Sequence, residues 1–231
     1  MLPAASGSHV MAQHFEIELD GLKQKLLAMA SHAETAVNQA VQALVDRNYE
    51  LALRVRNNDK VLDQFEIEID DLAIHLLAKA PLASDLRFIT VAMKISQNLE
   101  RVGDEASKIA NRARDLSQEP PLKPIAAIPR MTSHALQMLK AALDAFVNHD
   151  AAGARTLIPQ DKEVDLLNKQ IHRELAHQMI EDPETIMRSL HLMVVSKSLE
   201  RIADHATNVA EEVVYLCEAQ DIRHTGKGQP A

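Results

Sequence analysis

Two stretches of this chain, one hundred residues apart, read almost alike: Asn98-Leu99-Glu100-Arg101-Val102-Gly103-Asp104 and Ser198-Leu199-Glu200-Arg201-Ile202-Ala203-Asp204. A chain that repeats itself at such a distance is built from two copies of one unit, and each copy has to bury its own apolar face. The period of both stretches is helical. Ile95, Leu99, Val102, Ala106 and Ile109 share one face of the first, and Val195, Leu199, Ile202, Val209 and Val213 share one face of the second. A further correspondence lies upstream, where Asn58-Asp59-Lys60-Val61-Leu62-Asp63 matches Gln160-Asp161-Lys162-Glu163-Val164-Asp165. There Leu62, Phe65, Ile69, Leu72 and Leu76 alternate by three and four, as in a heptad seam.

Breakers divide the chain into six long helices. Glu119-Pro120-Pro121-Leu122-Lys123-Pro124, with Pro129 beyond, separates the halves. Asp46-Arg47-Asn48-Tyr49 and Ala80-Pro81-Leu82-Ala83-Ser84-Asp85 divide the first half; His149-Asp150 with Gly153, and Glu181-Asp182-Pro183, divide the second. The expected helices lie near 13–46, 49–79, 85–117, 126–148, 151–181 and 184–219, the last opening on Asp182 as N-cap and Pro183 at the first turn. With aromatics at 3%, six Gly and no Trp, packing is aliphatic and helix is favoured throughout. The expected fold is all-α: two tandem, internally duplicated three-helix bundles at 13–118 and 126–219, joined by a Pro-rich linker at 119–125. Residues 1–12 are expected to be a disordered, tag-like N-terminus, with Gly7-Ser8-His9 resembling a cloning remnant ahead of a natural start at Met11. Residues 220–231 are expected to form a disordered tail.

The formal charge of −8, without a run of five basic residues, argues against nucleic acid as a direct partner. Cys217 is the only cysteine, so neither an internal disulfide nor a thiolate metal site can form within the chain. No apolar run approaches the ~18 residues of a membrane span. A cytoplasmic location is expected.

The acids are patterned. Beside the seam of the second helix runs a ridge of Asp59, Asp63, Glu66 and Asp70. Glu100 and Asp104, and again Glu200 and Asp204, stand one turn apart on the third and sixth helices. Like charges at this spacing cost about 0.2–0.5 kcal/mol per pair unless a cation neutralises them. If neighbouring helices turn these ridges together, four or more carboxylates converge and repel, which raises their pKa values. Oxygen-rich clusters of this kind suit hard or intermediate cations such as Fe, Zn, Mn or Mg. The candidate metal ligands are Asp59, Asp63, Glu66, Glu100, Asp104, Asp161, Asp165, Glu200 and Asp204. In the second copy the ridge continues as Asn168 and His172, so the two sites differ in charge. The ridges lie outside the apolar seam and are expected on the bundle surface, a pattern that also describes a plainly solvated helix face. Arg101 and Arg201 are expected on the outer face. Glu174-x-x-His177 has the spacing of di-iron carboxylate bundles, but that chemistry needs two such pairs. No phosphate loop or nucleophile elbow is present, and no catalytic residue is expected.

The paired Leu-Glu-Arg-hydrophobic-small-Asp lines resemble the PhoU family. So do Ala83-Ser84-Asp85-Leu86-Arg87 after a Pro, and Asp204-His205-Ala206-Thr207-Asn208-Val209-Ala210-Glu211-Glu212 near the end. The likeness runs from about Phe15 to Leu216. It implies two similar three-helix bundles and an accessory role in phosphate-specific transport. It further implies a negative regulator of the phosphate-starvation response that links the phosphate ABC transporter ATPase to a sensor histidine kinase. Such a protein is commonly a homodimer, carries metal on its acidic motifs and meets the membrane only through partners. Two other functions fit the residues: a carboxylate-bridged metalloprotein such as an iron store or oxidase, and a metal-free helical adaptor.

Overall fold

The heptad seams become the core of an all-helical structure. The computed structural model describes residues 5–79, 82–123 and 126–223, with side chains from His14 onward. The first bundle consists of α1 (Ala5–Val45), α2 (Tyr49–Asn57), α3 (Lys60–Leu77) and α4 (Ala83–Ser117). The second consists of α5 (Ala127–Asn148), α6 (Ala151–Leu157), α7 (Asp161–Glu181) and α8 (Ile186–Glu218). Among the described residues every regular element is helical. The expected core faces of α4 and α8 are fully buried from Ile95 to Ile109 and from Val195 to Val213.

Two expected helices are broken, and each break has a local cause. The second is interrupted at Asn58-Asp59, where the Asn58 amide turns back to the carbonyls of Arg54 and Val55. The fifth is interrupted by a 3₁₀ turn at Ile158–Gln160, because Pro159 cannot supply a helical N–H and crowds the preceding turn. The breaks fall at equivalent places and leave Asp59 and Asp161 at the starts of α3 and α7.

The duplication is also visible at the corners. Arg47 and His149, the left-handed residues that end α1 and α5, have φ of 53° and 52°. The next residue caps the following helix in both copies: Asn48 Oδ1 accepts from Leu51 N at 3.0 Å, and Asp150 Oδ1 from Gly153 N at 2.9 Å. Asp182 likewise accepts from Glu184 N at 3.1 Å before Pro183–Thr185 leads into α8.

Helix α1 already begins at Ala5, inside the stretch expected to be disordered, and residues 1–4 lie outside the described residues. The first four residues of the expected tail pack back: Ile222 covers the core, and Arg223 donates to Glu212 at 3.0 Å and to Asp221 at 2.6 Å. Residues 224–231 lie outside the described residues, as do Pro124 and Ile125 of the linker.

One apolar core runs through both bundles. Helix α4 packs against α1 and α3 on one side and against α8 on the other, and α1 also touches α5. The α4–α8 seam has an approximate twofold relation. Glu105 lies by Ser198 and pairs with Arg201 at 3.2 Å, while His205, its counterpart one hundred residues on, meets Asn98 at 3.0 Å.

Gly103 sets how closely α3 approaches α4. A Cβ at that position would overlap Leu62 Cδ1, whereas the second copy combines Ala203 with the smaller Val164. We expect Gly103→Ala to cost about 1 kcal/mol through overpacking despite the better helix propensity of Ala. In a Leu62→Val background the same change should become neutral or stabilising. A double-mutant cycle by urea denaturation measures the coupling, and simple additivity would refute this account of the contact.

Candidate functional site

The acidic ridges do not face open solvent. The breaks before α3 and α7 turn each ridge toward the neighbouring long helix, and the carboxylates line the groove between the two. Glu100 and Glu200 keep only 16% and 15% side-chain exposure, against 34% for Asp104. The expectation of a fully surface-borne site is therefore corrected: these are half-buried rows between paired helices.

In the first row, Asp59 does not cap its own helix but accepts from Ser107 Oγ of α4 at 2.8 Å. Burial raises its pKa against that hydrogen bond, and Asp104 and Asp63 raise it further. Glu66 is raised by burial and then by Asp70, Asp63 and Asp104. Glu100 is raised by burial and then by Asp104, Glu66 and Asp63. Asp59, Asp63, Glu66, Glu100 and Asp104 thus share one field. The cation in that field is Arg101, which lies 3.4 Å from both Glu100 and Asp104. Asp70 stands at the end of the row with a buried, unpartnered Oδ1.

The second row has the same plan with different charges. Asp161 is pushed up to about 6, by burial first and then by Asp204, Asp165 and Glu200. Asp165 and Asp204 are also raised, chiefly by burial and then by Glu200. Asn168 is buried and donates to Glu200 Oε2 at 3.1 Å, leaving its own Oδ1 without a partner. Lys197 pairs with the same Glu200 oxygen. His172 turns aside to Ser196, 3.1 Å away. Arg201 stays exposed on the outer face, as expected, and pairs with Glu105.

All nine candidate ligands therefore fall into two rows, as the sequence grouped them. The donor chemistry suits a hard or intermediate cation, and the orphaned oxygens of Asp70, Asp161 and Asn168 are the groups such an ion would relieve. As they stand, no three acidic or histidine side chains among the described residues converge closely enough to hold one ion. Metal loading would require rotamer changes and displacement of Arg101 and Lys197.

Sequence reasoning missed two buried carboxylates at the bundle junction. Glu105 is 4% exposed; burial works to raise its pKa, but Lys108, Ser198 and Arg201 hold it low. Glu212 is equally buried and is gripped by Lys94 at 3.0 Å and Arg223 at 3.0 Å. A signal was available. Small and apolar residues cover more of α4 than one stripe, including Val91, Ala92, Gly103, Ala110 and Ala113, and a helix apolar on two sides has two neighbours to pack against.

Among the described residues no helix is long and apolar enough to cross a membrane.

Comparison with known proteins fits this architecture. The family model for the PhoU domain matches twice, over residues 26–113 and 128–213, one match for each bundle. The phosphate-specific transport system accessory protein PhoU homolog of Pseudomonas aeruginosa is 42% identical over 98% of this chain and 94% of its own length. The Escherichia coli PhoU accessory protein is 33% identical over 94% of this chain and 90% of its own. The crystal structure of PhoU from Pseudomonas aeruginosa superposes with a TM-score of 0.85, covering 89% of this chain and all of that one. The phosphate transport system regulatory protein PhoU from Streptococcus pneumoniae superposes with a TM-score of 0.84 at 29% identity, over 90% of this chain and 99% of that one. Two acidic rows in two equivalent bundles, each matched by the same domain and together spanning the length of these relatives, place this chain in the PhoU family.

Proposed function

We propose that this chain is an accessory protein of phosphate-specific transport and a negative regulator of the phosphate-starvation response. In this reading it works in the cytoplasm as a homodimer and links the phosphate ABC transporter ATPase to a sensor histidine kinase. The observation that carries the reading is the pair of facing carboxylate rows on a chain that matches PhoU proteins over nearly its full length. The mechanism is a population shift: contacts made to both partners when phosphate is plentiful favour the kinase state that does not signal. Deleting the gene should switch on phosphate-starvation genes in high phosphate; transcript levels unchanged by the deletion would count against the regulatory role.

The same proposal assigns metal to the rows. Asp59, Asp63, Glu66, Glu100 and Asp104 would hold it in the first bundle, and Asp161, Asp165, Glu200 and Asp204 in the second. Bound Fe, Zn, Mn or Mg would neutralise mutual repulsion and fix the groove between paired helices. Elemental analysis of protein purified without an affinity tag should show metal that falls by about half in Glu100→Gln/Asp104→Asn and again in Glu200→Gln/Asp204→Asn, from the ordinary ~10-fold or greater cost of lost ligand-shell groups. Equal metal content in wild type and both variants would remove the ligand assignment. A specific observation favours the second reading, a metal-free adaptor: Arg101 and Lys197 already supply a cation to each row.

A further inference from the structure

A second kind of site lies at the other end of α4. Where the start of α4 meets α1, the α5 corner and the end of α8, a cavity of about 610 Å³ opens. It brings together Lys23 of α1, Arg87 of α4 and His149 of the corner after α5. Arg87 is half-buried and its Nε is closed off from solvent, yet its guanidinium has no hydrogen bond or ion pair among the described residues. Lys23 is also half-buried, and its ammonium donates only to the Val147 carbonyl, at 3.1 Å. The wall behind them is fixed by aromatic contact: His149 lies 6.4 Å from Phe88, which stacks on the fully buried Phe146 at 5.5 Å.

The two acids that also line the cavity, Asp20 and Asp85, form no ion pair with these cations among the described residues. Asp85 accepts from the Leu82 amide at 3.1 Å and the Ser84 hydroxyl at 3.4 Å, and Asp20 is exposed. Closing a guanidinium N–H off from water without an acceptor is costly. The second bundle avoids that cost. The position one hundred residues beyond Arg87 is Met187, and the adjacent Arg188 donates to the carbonyls of Pro120 and Glu184 at 2.9 and 3.0 Å. An unpaired arginine fork beside an ammonium, with a hydroxyl and an imidazole on the same wall, matches a tetrahedral oxyanion.

We propose that this cavity binds a small free oxyanion of the phosphate class, with Arg87 as its bidentate donor, Lys23 as a point charge, and Ser84 and His149 completing the shell. The site is about 20 Å along α4 from Glu100, at 1.5 Å per residue. It does not depend on metal in the carboxylate rows.

Isothermal titration of metal-stripped, full-length protein with inorganic phosphate tests this. Saturable binding is expected, competed by sulfate but not by chloride at matched ionic strength. Arg87→Gln should weaken it at least tenfold and Arg87→Lys less, while Glu100→Gln/Asp104→Asn should bind as wild type. Because Arg87→Gln could disturb folding, Lys23→Gln provides a second reading and should weaken binding several-fold. No saturable heat up to about 10 mM phosphate, competition by chloride, or unchanged binding in both cavity variants would overturn the proposal. Loss of binding only in the Glu100/Asp104 variant would overturn it as well and would move the anion to the metal rows.

Discussion

Replacing Phe146 with Ala should lower stability by about 3–5 kcal/mol, and both bundles should register the loss. Phe146 belongs to the second bundle by sequence, yet it is fully buried against Phe88 of the first. Removing the ring deletes a large apolar volume and an aromatic pair worth about 0.5–1.5 kcal/mol beyond its burial. The core is continuous across the junction, so the two bundles should unfold as one cooperative unit. The chain supplies its own reporters, since its two tyrosines are Tyr49 in the first bundle and Tyr215 in the second and there is no Trp. In urea, the fluorescence of Tyr49→Phe and Tyr215→Phe versions should shift by the same amount when Phe146→Ala is added. A shift confined to Tyr215, with Tyr49 unchanged, would mean independent domains.

The second large effect is electrostatic. In the metal-free protein Asp161→Asn should raise stability at pH 7 by about 1–2 kcal/mol after allowing for solvent screening. The sign follows from linkage. The folded carboxyl titrates at about 6, above its ordinary value. Between those values the folded state holds more protons than the unfolded one, so stability falls as pH rises through the window. The gain from Asp161→Asn should therefore be full at pH 7 and fade toward pH 4. His205 works the other way below its ordinary value, because burial lowers its pKa. The difference between variant and wild type, rather than the wild-type profile, is accordingly the measurement to make. A gain that does not change between pH 4 and pH 7 would contradict the repulsion. On the metal assignment proposed above, saturating metal should reverse the order, since a wild type that binds it would gain RT ln(1 + [L]/Kd), about 2.7 kcal/mol at a hundredfold excess over Kd.

Much of this was legible from residues alone. The seams of α3, α4 and α8 follow from apolar spacing, and the duplication follows from the two Leu-Glu-Arg lines. The grouping of nine acids into two rows could also be read, because helical spacing places them on ridges. Which way a ridge faces could not. That depends on where α3 and α7 begin; the polar runs Arg56–Lys60 and Gln160–Glu163, the second opened by Pro159, interrupt the apolar period there, but their effect on the facing of the ridge comes from packing against α4 and α8. The buried Glu105 and Glu212 were invisible for a related reason: they answer to the packing of one bundle on the other, a long-range contact between helices each already satisfied locally. Arg87 was noticed only as part of a motif, since a missing partner is a property of space rather than of sequence.

The twofold character of the α4–α8 seam has a consequence for how the two halves stay together. A face that pairs with its own duplicate can equally join two separate copies. Between separate copies its occupancy would rise and fall with protein concentration. Here the halves are joined by a nine-residue connection, Gln118–Ala126, which holds the two faces at an effective concentration in roughly the millimolar range. A seam held within one chain in this way does not dissociate on dilution. Nor need its two faces be identical: Glu105 and His205 occupy equivalent places with opposite chemistry.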